Sequence, residues 1–381
     1  MRFFLLASFP DSIIAFRGAL ISRLVQAGEE VHVAAPGMLS GSPVRSTLEA
    51  GGIVVHDLTL DRTGTSALGD LLLVFRLYRL FRRVRPDAIL GYTIKPVIYG
   101  TLAAWIARVP ERFALITGLG YAFTGARNSF LISLIRRIYG LALGRATKVF
   151  FQNPDDRALF QERGILPLSI PAVVVNGSGI DIRAFNLEPL PGKGAVFLMI
   201  GRLLGDKGVR EFVAAARLIR ILHPVARFQL VGWIDENPDA ISKSELNEWV
   251  AEGVIEFLGR LEDVRSAIAG CNVYVLPSYR EGTPRTVLEA MAMGRPVITT
   301  DAPGCRETVT NGENGFLVPV GSVDALVTAM LRLIEDRALL IRMGGRSRQI
   351  AEEKYDVHKV NEVMLREMGI TSRESAMVKH D

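Results

Sequence analysis

Two short stretches hold the residue types that phosphate and sugar chemistry need. Gly201-Arg202-Leu203-Leu204-Gly205-Asp206-Lys207-Gly208 lies between an apolar run and a helical pattern. Its glycines let the backbone approach a ligand closely, and Arg202 and Lys207 offer fixed positive charge to a phosphate. The spacing is not that of a P-loop, which ends in Gly-Lys-Ser or Gly-Lys-Thr. The second stretch is Glu281-Gly282-Thr283-Pro284-Arg285-Thr286-Val287-Leu288-Glu289. Thr283 reads as an N-cap and Pro284 as the first residue of a helix. Glu281 then sits just before a helix N-terminus and Glu289 about a turn and a half inside it. Amides at such a terminus attract anions. A carboxylate there is costly unless it engages something else, such as sugar hydroxyls. Taken singly, the first stretch reads equally as a strand-helix turn with solvated cations. The second reads more readily as a capped surface helix.

Elements that could position these residues run the length of the 381-residue chain. Short apolar runs alternate with helical patterns. Arg2–Ser8, Val31–Ala35, Ile53–His56, Ala88–Leu90, Phe113–Ile116, Lys148–Phe151 and Ala172–Val175 read as strands in a first block. A second block repeats the pattern from Ala195–Ile200 through Arg227–Val231, Val254–Phe257 and Asn272–Leu276 to Pro296–Thr299. Strands that are apolar throughout and alternate with helices predict parallel sheets covered on both faces. The Pro- and Gly-rich run Asn186–Gly194 is the expected boundary. Residues 1–185 then form one Rossmann-like domain and 186–354 another, with a cleft between them. Residues 355–381 supply a last helix, returning to the first domain, and a polar tail.

Composition bounds the class. The chain is 49% hydrophobic and 22% charged, which excludes disorder. Two cysteines, Cys271 and Cys305, cannot form a disulfide framework, so a reducing compartment is expected. The longest charge-free stretch, Gly164–Ile180, is broken by Pro167 and Pro171, so no membrane span is expected. The opening MRFFLLASF reads as a first strand rather than a leader, because a helix pattern and a second strand follow at once. Residues 1–170 hold 20 Lys and Arg against 12 Asp and Glu, whereas residues 171–381 hold 25 against 28. The basic half predicts an anionic partner.

As an ensemble, GRLLGDKG, EGTPRTVLE and AMAMGRPVITTDAPGCRE resemble the retaining glycosyltransferases of family 4, which have the GT-B fold. The resemblance extends to Asn176-Gly177-Ser178-Gly179-Ile180-Asp181, Val231-Gly232, Phe257-Leu258-Gly259-Arg260 and Asn311-Gly312-Glu313-Asn314-Gly315. It implies a nucleotide-sugar donor in the second domain, with Arg202 and Lys207 on the diphosphate. Glu281 would meet the donor sugar and Glu289 the ribose, while the backbone around Arg260 faces the base. Gly201, Gly232, Gly282, Thr283, Arg285, Thr286 and Val287 would complete the donor site. Transfer needs a diphosphate whose growing charge is stabilised, which Arg, Lys and a helix N-terminus can do. No carboxylate pair or His/Cys cluster suggests a metal, so metal-free transfer without a cofactor is expected. No histidine is named as catalytic: His32 and His56 lie in strands and read as structural.

The first half, through FRGAL, GYTIKPVIYG and LITGLGYAFTG, resembles bacterial members that act on polyprenyl-diphosphate-linked glycans. That implies an acceptor side built from Arg17, Gly18, Thr93, Lys95, Tyr99, Thr117, Gly118 and Gly120. Arg76, Arg79 and Arg83 share a face of a basic amphipathic helix pattern, Leu68–Arg85, suited to an anionic membrane surface on the cytoplasmic side. Arg127, Arg136 and Arg137 could extend it. Nothing resembles a nucleic-acid motif, so no nucleic-acid partner is expected. Alternatives are a soluble or lipopolysaccharide-core acceptor, a sugar-nucleotide epimerase, or a membrane-bound scaffold without catalysis.

Overall fold

The computed structural model describes residues 1–60, 67–119, 130–192, 194–235 and 237–370. The chain forms two compact units, Met1–Ser178 with the C-terminal segment from His358, and Gly179–Val357.

The first unit is a seven-stranded sheet: β1 (Arg2–Leu6), β2 (Glu30–Pro36), β3 (Val54–Leu58), β4 (Ala88–Tyr92), β5 (Glu111–Ile116), β6 (Lys148–Phe151) and β7 (Ala172–Val174). The order is β3-β2-β1-β4-β5-β6-β7, and every pairing is parallel. Successive side chains point to opposite faces. Phe3, Leu5, Leu90, Leu115 and Phe150 therefore join one core, which Leu20, Ile21 and Leu24 of helix Asp11–Gln26 complete. Met364 and Leu365 of helix Val357–Glu367 pack there too, so the last helix belongs to this unit. Phe4, Leu6 and Ile89 face the other way, onto Leu73, Leu77, Leu80 and Phe81 of helix Ala67–Val84.

The second unit is a six-stranded parallel sheet: β8 (Val196–Leu203), β9 (Arg227–Ile234), β10 (Glu256–Gly259), β11 (Val273–Leu276), β12 (Val297–Thr300) and β13 (Gly315–Val318). Its order is β10-β9-β8-β11-β12-β13. Helices on both faces close one continuous core. The short helix Arg265–Ala269 and strand β13 add to the elements read from the sequence.

The divide falls at Ser178/Gly179 rather than at residue 185, and the return begins at His358 rather than 355. The Pro- and Gly-rich run is part of the second unit. Phe185 and Leu190 pack on its core. Arg295, fully buried, donates from Nη1 to the Glu188 carbonyl at 2.8 Å and from Nη2 to that of Pro189 at 3.1 Å. Its Nε and Nη2 also reach the carbonyls of Ile268 and Ala269 at 2.9 and 3.0 Å. Composition marked a linker, but carbonyls without side-chain demands made the run a good partner for one guanidinium.

Arg295→Leu should leave the buried Ile268 carbonyl without this donor and release the Glu188, Pro189 and Ala269 carbonyls. A loss of about 3 kcal/mol or more is expected from bonds to a charged group, read as a lower urea midpoint. An unchanged midpoint would show that water replaces the guanidinium.

Candidate active site

All strands of the second sheet run the same way, so the loops after β8, β9, β11 and β12 leave on one edge. Ligands in such sheets bind outside the strand C-termini where the strand order reverses. Here that place lies between β8 and β11. Lys207, on the loop after β8, donates from Nζ to Oε1 of Glu281, on the loop after β11, at 2.5 Å. Both side chains are largely buried, at 15% and 16% exposure. Gly208 makes the approach possible. It has φ of 74°, and a Cβ there would lie 2.2 Å from the Pro277 carbonyl oxygen. The Glu281 amide donates to the Pro303 carbonyl at 2.9 Å, tying its loop to the one after β12.

Arg202 closes the opposite side. Its Nη1 donates to Oδ2 of Asp235 at 3.1 Å. In register, Gly201 pairs with Gly232 and Arg202 with Trp233. The Arg260 guanidinium lies over the Trp233 ring, 5.0 Å from its centroid. Arg202, Asp235, Trp233 and Arg260 thus follow one another along this edge.

Helix Arg285–Ala292 starts one residue later than its sequence suggests. Pro284 takes the N-cap position with extended backbone, so Thr283, read from the sequence as the cap, lies one residue before it. Thr286 in the first turn receives the Tyr274 hydroxyl at 2.6 Å, and Val287 is buried. Gly282 is buried and Thr283 half-buried. Glu289 is 7% exposed, and its Oε1 accepts from Arg285 Nε at 2.9 Å. Burial raises its pKa, against the pull of Arg285.

The residues expected on the acceptor side fall in the first unit. Ser8, just past β1, and Thr93, just past β4, share a hydroxyl hydrogen bond of 2.8 Å. β1 and β4 are the pair at which that sheet's order reverses. Thr93 has φ of 69°, a strained conformation for a β-branched residue and one that concentrates at functional sites. Lys95 Nζ and the Tyr99 hydroxyl both donate to Asp70, at 2.7 and 2.6 Å. A π-turn, Pro96–Gly100, follows directly. Arg17 is 1% exposed and lies 5.4 Å from the Tyr92 ring centroid, so it does not line an open surface. Gly18, Thr117 and Gly118 are half-buried. Gly120 and Arg127 lie outside the described residues. His32 Nδ1 and His56 Nε2 are 3.0 Å apart in neighbouring strands, and Glu30 Oε1 meets His32 Nε2 at 3.0 Å. Burial and the neighbouring His32 lower the His56 pKa to about 4.

Sequence reasoning missed Asp70, Asp235 and Asp239. Asp70 is a lone acid in a basic helix pattern, a signal in hindsight. Asp235 and Asp239 sit in a Pro-containing turn after a strand, which looks like ordinary turn chemistry.

The raised Glu289 pKa has a sign that can be checked. The folded chain keeps a proton that an unfolded glutamate, at the usual 4.5, has released. Stability therefore falls as pH rises through the folded value. Glu289→Gln should remove that fall, so its melting temperature should gain on wild type between about pH 4 and pH 7. A constant gap across that range would refute this.

The family described as "Glycosyl transferases group 1" matches residues 194–336. "Glycosyl transferase 4-like" matches residues 5–153. A Campylobacter jejuni protein named N,N'-diacetylbacillosaminyl-diphospho-undecaprenol alpha-1,3-N-acetylgalactosaminyltransferase is 29% identical over 375 residues, covering 93% of this chain and 95% of that one. An Escherichia coli protein named UDP-Gal:alpha-D-GlcNAc-diphosphoundecaprenol alpha-1,3-galactosyltransferase is 26% identical over 289 residues, covering 72% and 73%. Among solved structures, Anabaena HepE in complex with UDP and glucose superposes with a TM-score of 0.76 at 21% identity, covering 97% of this chain and 99% of that one. The two matched models together span most of the chain and, with these relatives, mark it as a glycosyltransferase similar to those of family 4, while its two parallel sheets have the GT-B fold.

Proposed function

We propose that this protein moves a hexose or N-acetylhexosamine from a UDP-linked donor to a polyprenyl-diphosphate-linked acceptor, with retention and without a metal. The observation that carries the reading is the Lys207–Glu281 pair where the second sheet's strand order reverses, with Arg202 on the same edge. The leaving diphosphate gains charge as the sugar departs, and two cations beside a helix N-terminus stabilise it. Glu281, held at Lys207, takes the donor sugar's hydroxyls, and Glu289 those of the ribose. The two relatives are named for diphospho-undecaprenol acceptors and alpha-1,3 products. Retention from an alpha-linked UDP-sugar would give such products.

Arg202→Ala and Lys207→Ala should each lower turnover about a hundredfold or more, in variants that still show a cooperative melt. Glu289→Ala should weaken binding of free UDP, whereas Glu281→Ala should leave it unchanged and lower turnover. Label from tritiated UDP-sugars, read in the organic phase after incubation with lipid extract, measures both turnover and acceptor class. Wild-type turnover in both cation variants would overturn the donor site. Loss of activity on chelation, or an inverted anomer, would overturn the mechanism.

The same reading places the protein on the cytoplasmic face of a membrane, held peripherally. Among the described residues, no helix is long and apolar enough to cross one. In helix Ala67–Val84, Leu68, Leu71, Leu72 and Phe75 are each more than half exposed. They recur at helical spacing beside exposed Arg76, Arg79 and Arg83. An apolar stripe with a cationic border fits an anionic lipid surface. Arg76, Arg79 and Arg83 replaced together by Ser should abolish salt-sensitive sedimentation with anionic vesicles. Activity on a short water-soluble acceptor should persist. Sedimentation equal to wild type would make the helix a plain sheet cover.

A further inference from the structure

The cations of the donor loop are aimed by a neighbouring turn that no motif marks. Residues 201–208 and the turn after β9 meet through several bonds. Leu204 and Ala240 form an antiparallel bridge, and the Ile241 amide donates to the Leu203 carbonyl at 2.9 Å. The Gly205 amide donates to the Asp239 carbonyl at 2.9 Å, and the Asp206 amide donates to Asp239 Oδ2 at 2.7 Å. The Asp206 carbonyl in turn accepts from the Tyr279 amide at 2.8 Å and from Ser278 Oγ at 3.2 Å. The residue before Lys207 is thus gripped by the turn after β9 on its amide and by the Glu281 loop on its carbonyl. Gly205 leaves room for this grip, since a Cβ there would lie 2.6 Å from Asp239 Oδ1.

The turn is itself pinned. The Asp239 amide donates to Asn237 Oδ1 at 3.0 Å, and the Asn237 amide donates to Asp235 Oδ1 at 3.0 Å. The other oxygen of Asp235 holds Arg202. One turn therefore reaches both cations: Arg202 through a carboxylate, and Lys207 through the peptide before it.

We propose that Asp239 and Asp235 are positioning residues of the donor site. Asp239 sets the Lys207 peptide, and Asp235 orients the Arg202 guanidinium while leaving its remaining donors for the diphosphate. This rests on the donor-site reading above.

The test is calorimetric titration of the full chain with UDP, beside melting temperatures. Asp239→Ala should weaken UDP binding about tenfold, the weight of one charge-assisted hydrogen bond. Asp239→Asn keeps an oxygen acceptor and should restore binding to within about twofold of wild type. Asp235→Asn keeps the Asn237 turn and weakens only the grip on Arg202. It should lower UDP affinity in the wild-type background and have no further effect on Arg202→Ala. If Arg202→Ala and Lys207→Ala both bind UDP normally, the donor site itself is misplaced. If those two lose UDP but Asp239→Ala and Asp235→Asn do not, the positioning role falls alone. Additive losses for Asp235→Asn and Arg202→Ala, or an Asp239→Asn variant as weak as Asp239→Ala, overturn it as well.

Discussion

The contact between Lys207 and Glu281 depends on a topological fact. The two residues are 74 positions apart, and two strands intervene between theirs in sequence. They meet because the chain lays β9 and β10 on one side of β8 and then returns to place β11 on the other. A parallel sheet that reverses direction in this way leaves two strand ends with no helix crossing between them. Lys207 and Glu281 flank that gap, and Arg202 with Asp235 lies beside it on the β9 side. The largely buried ion pair is held on both sides by backbone, so its geometry owes little to side-chain freedom.

Both cations are partnered by carboxylates, Lys207 by Glu281 and Arg202 by Asp235. A cation left bare in a partly dry site would pay heavily in lost hydration. Pairing it with a carboxylate avoids that cost and keeps it aimed. The first unit repeats the device, with Lys95 on Asp70. There the backbone contributes strain as well, through Thr93.

Much of this was legible in the residues. Apolar runs such as Phe197–Ile200 could only be strands buried on both faces, and their alternation with helices forced parallel pairing. The glycines and cations of 201–208 and the acids at 281 and 289 drew notice by type and spacing, and the structure sets Lys207 against Glu281. What stayed hidden was of two kinds. Side-chain partners across turns, such as Asp235 and Asp239, carry no period and no motif. Burial of a cation, as with Arg17, depends on what the fold lays over it, which a single sequence does not express. The 185 boundary differs from the divide at Ser178/Gly179 for a related reason: a run rich in Pro and Gly looks like a tether until its carbonyls are seen to be claimed by Arg295.

That claim sets how the protein can be dissected. A fragment carrying the second unit alone must begin near Gly179 and extend to Val357. Cut instead after the Pro- and Gly-rich run, it would lose the apolar anchors Phe185 and Leu190 and half the acceptors of a fully buried guanidinium. Conversely, the first unit cannot be obtained by simple truncation. Its core borrows Met364 and Leu365 from the far end of the chain, so the piece would have to be rejoined across the excised unit, with residue 178 spliced to 358.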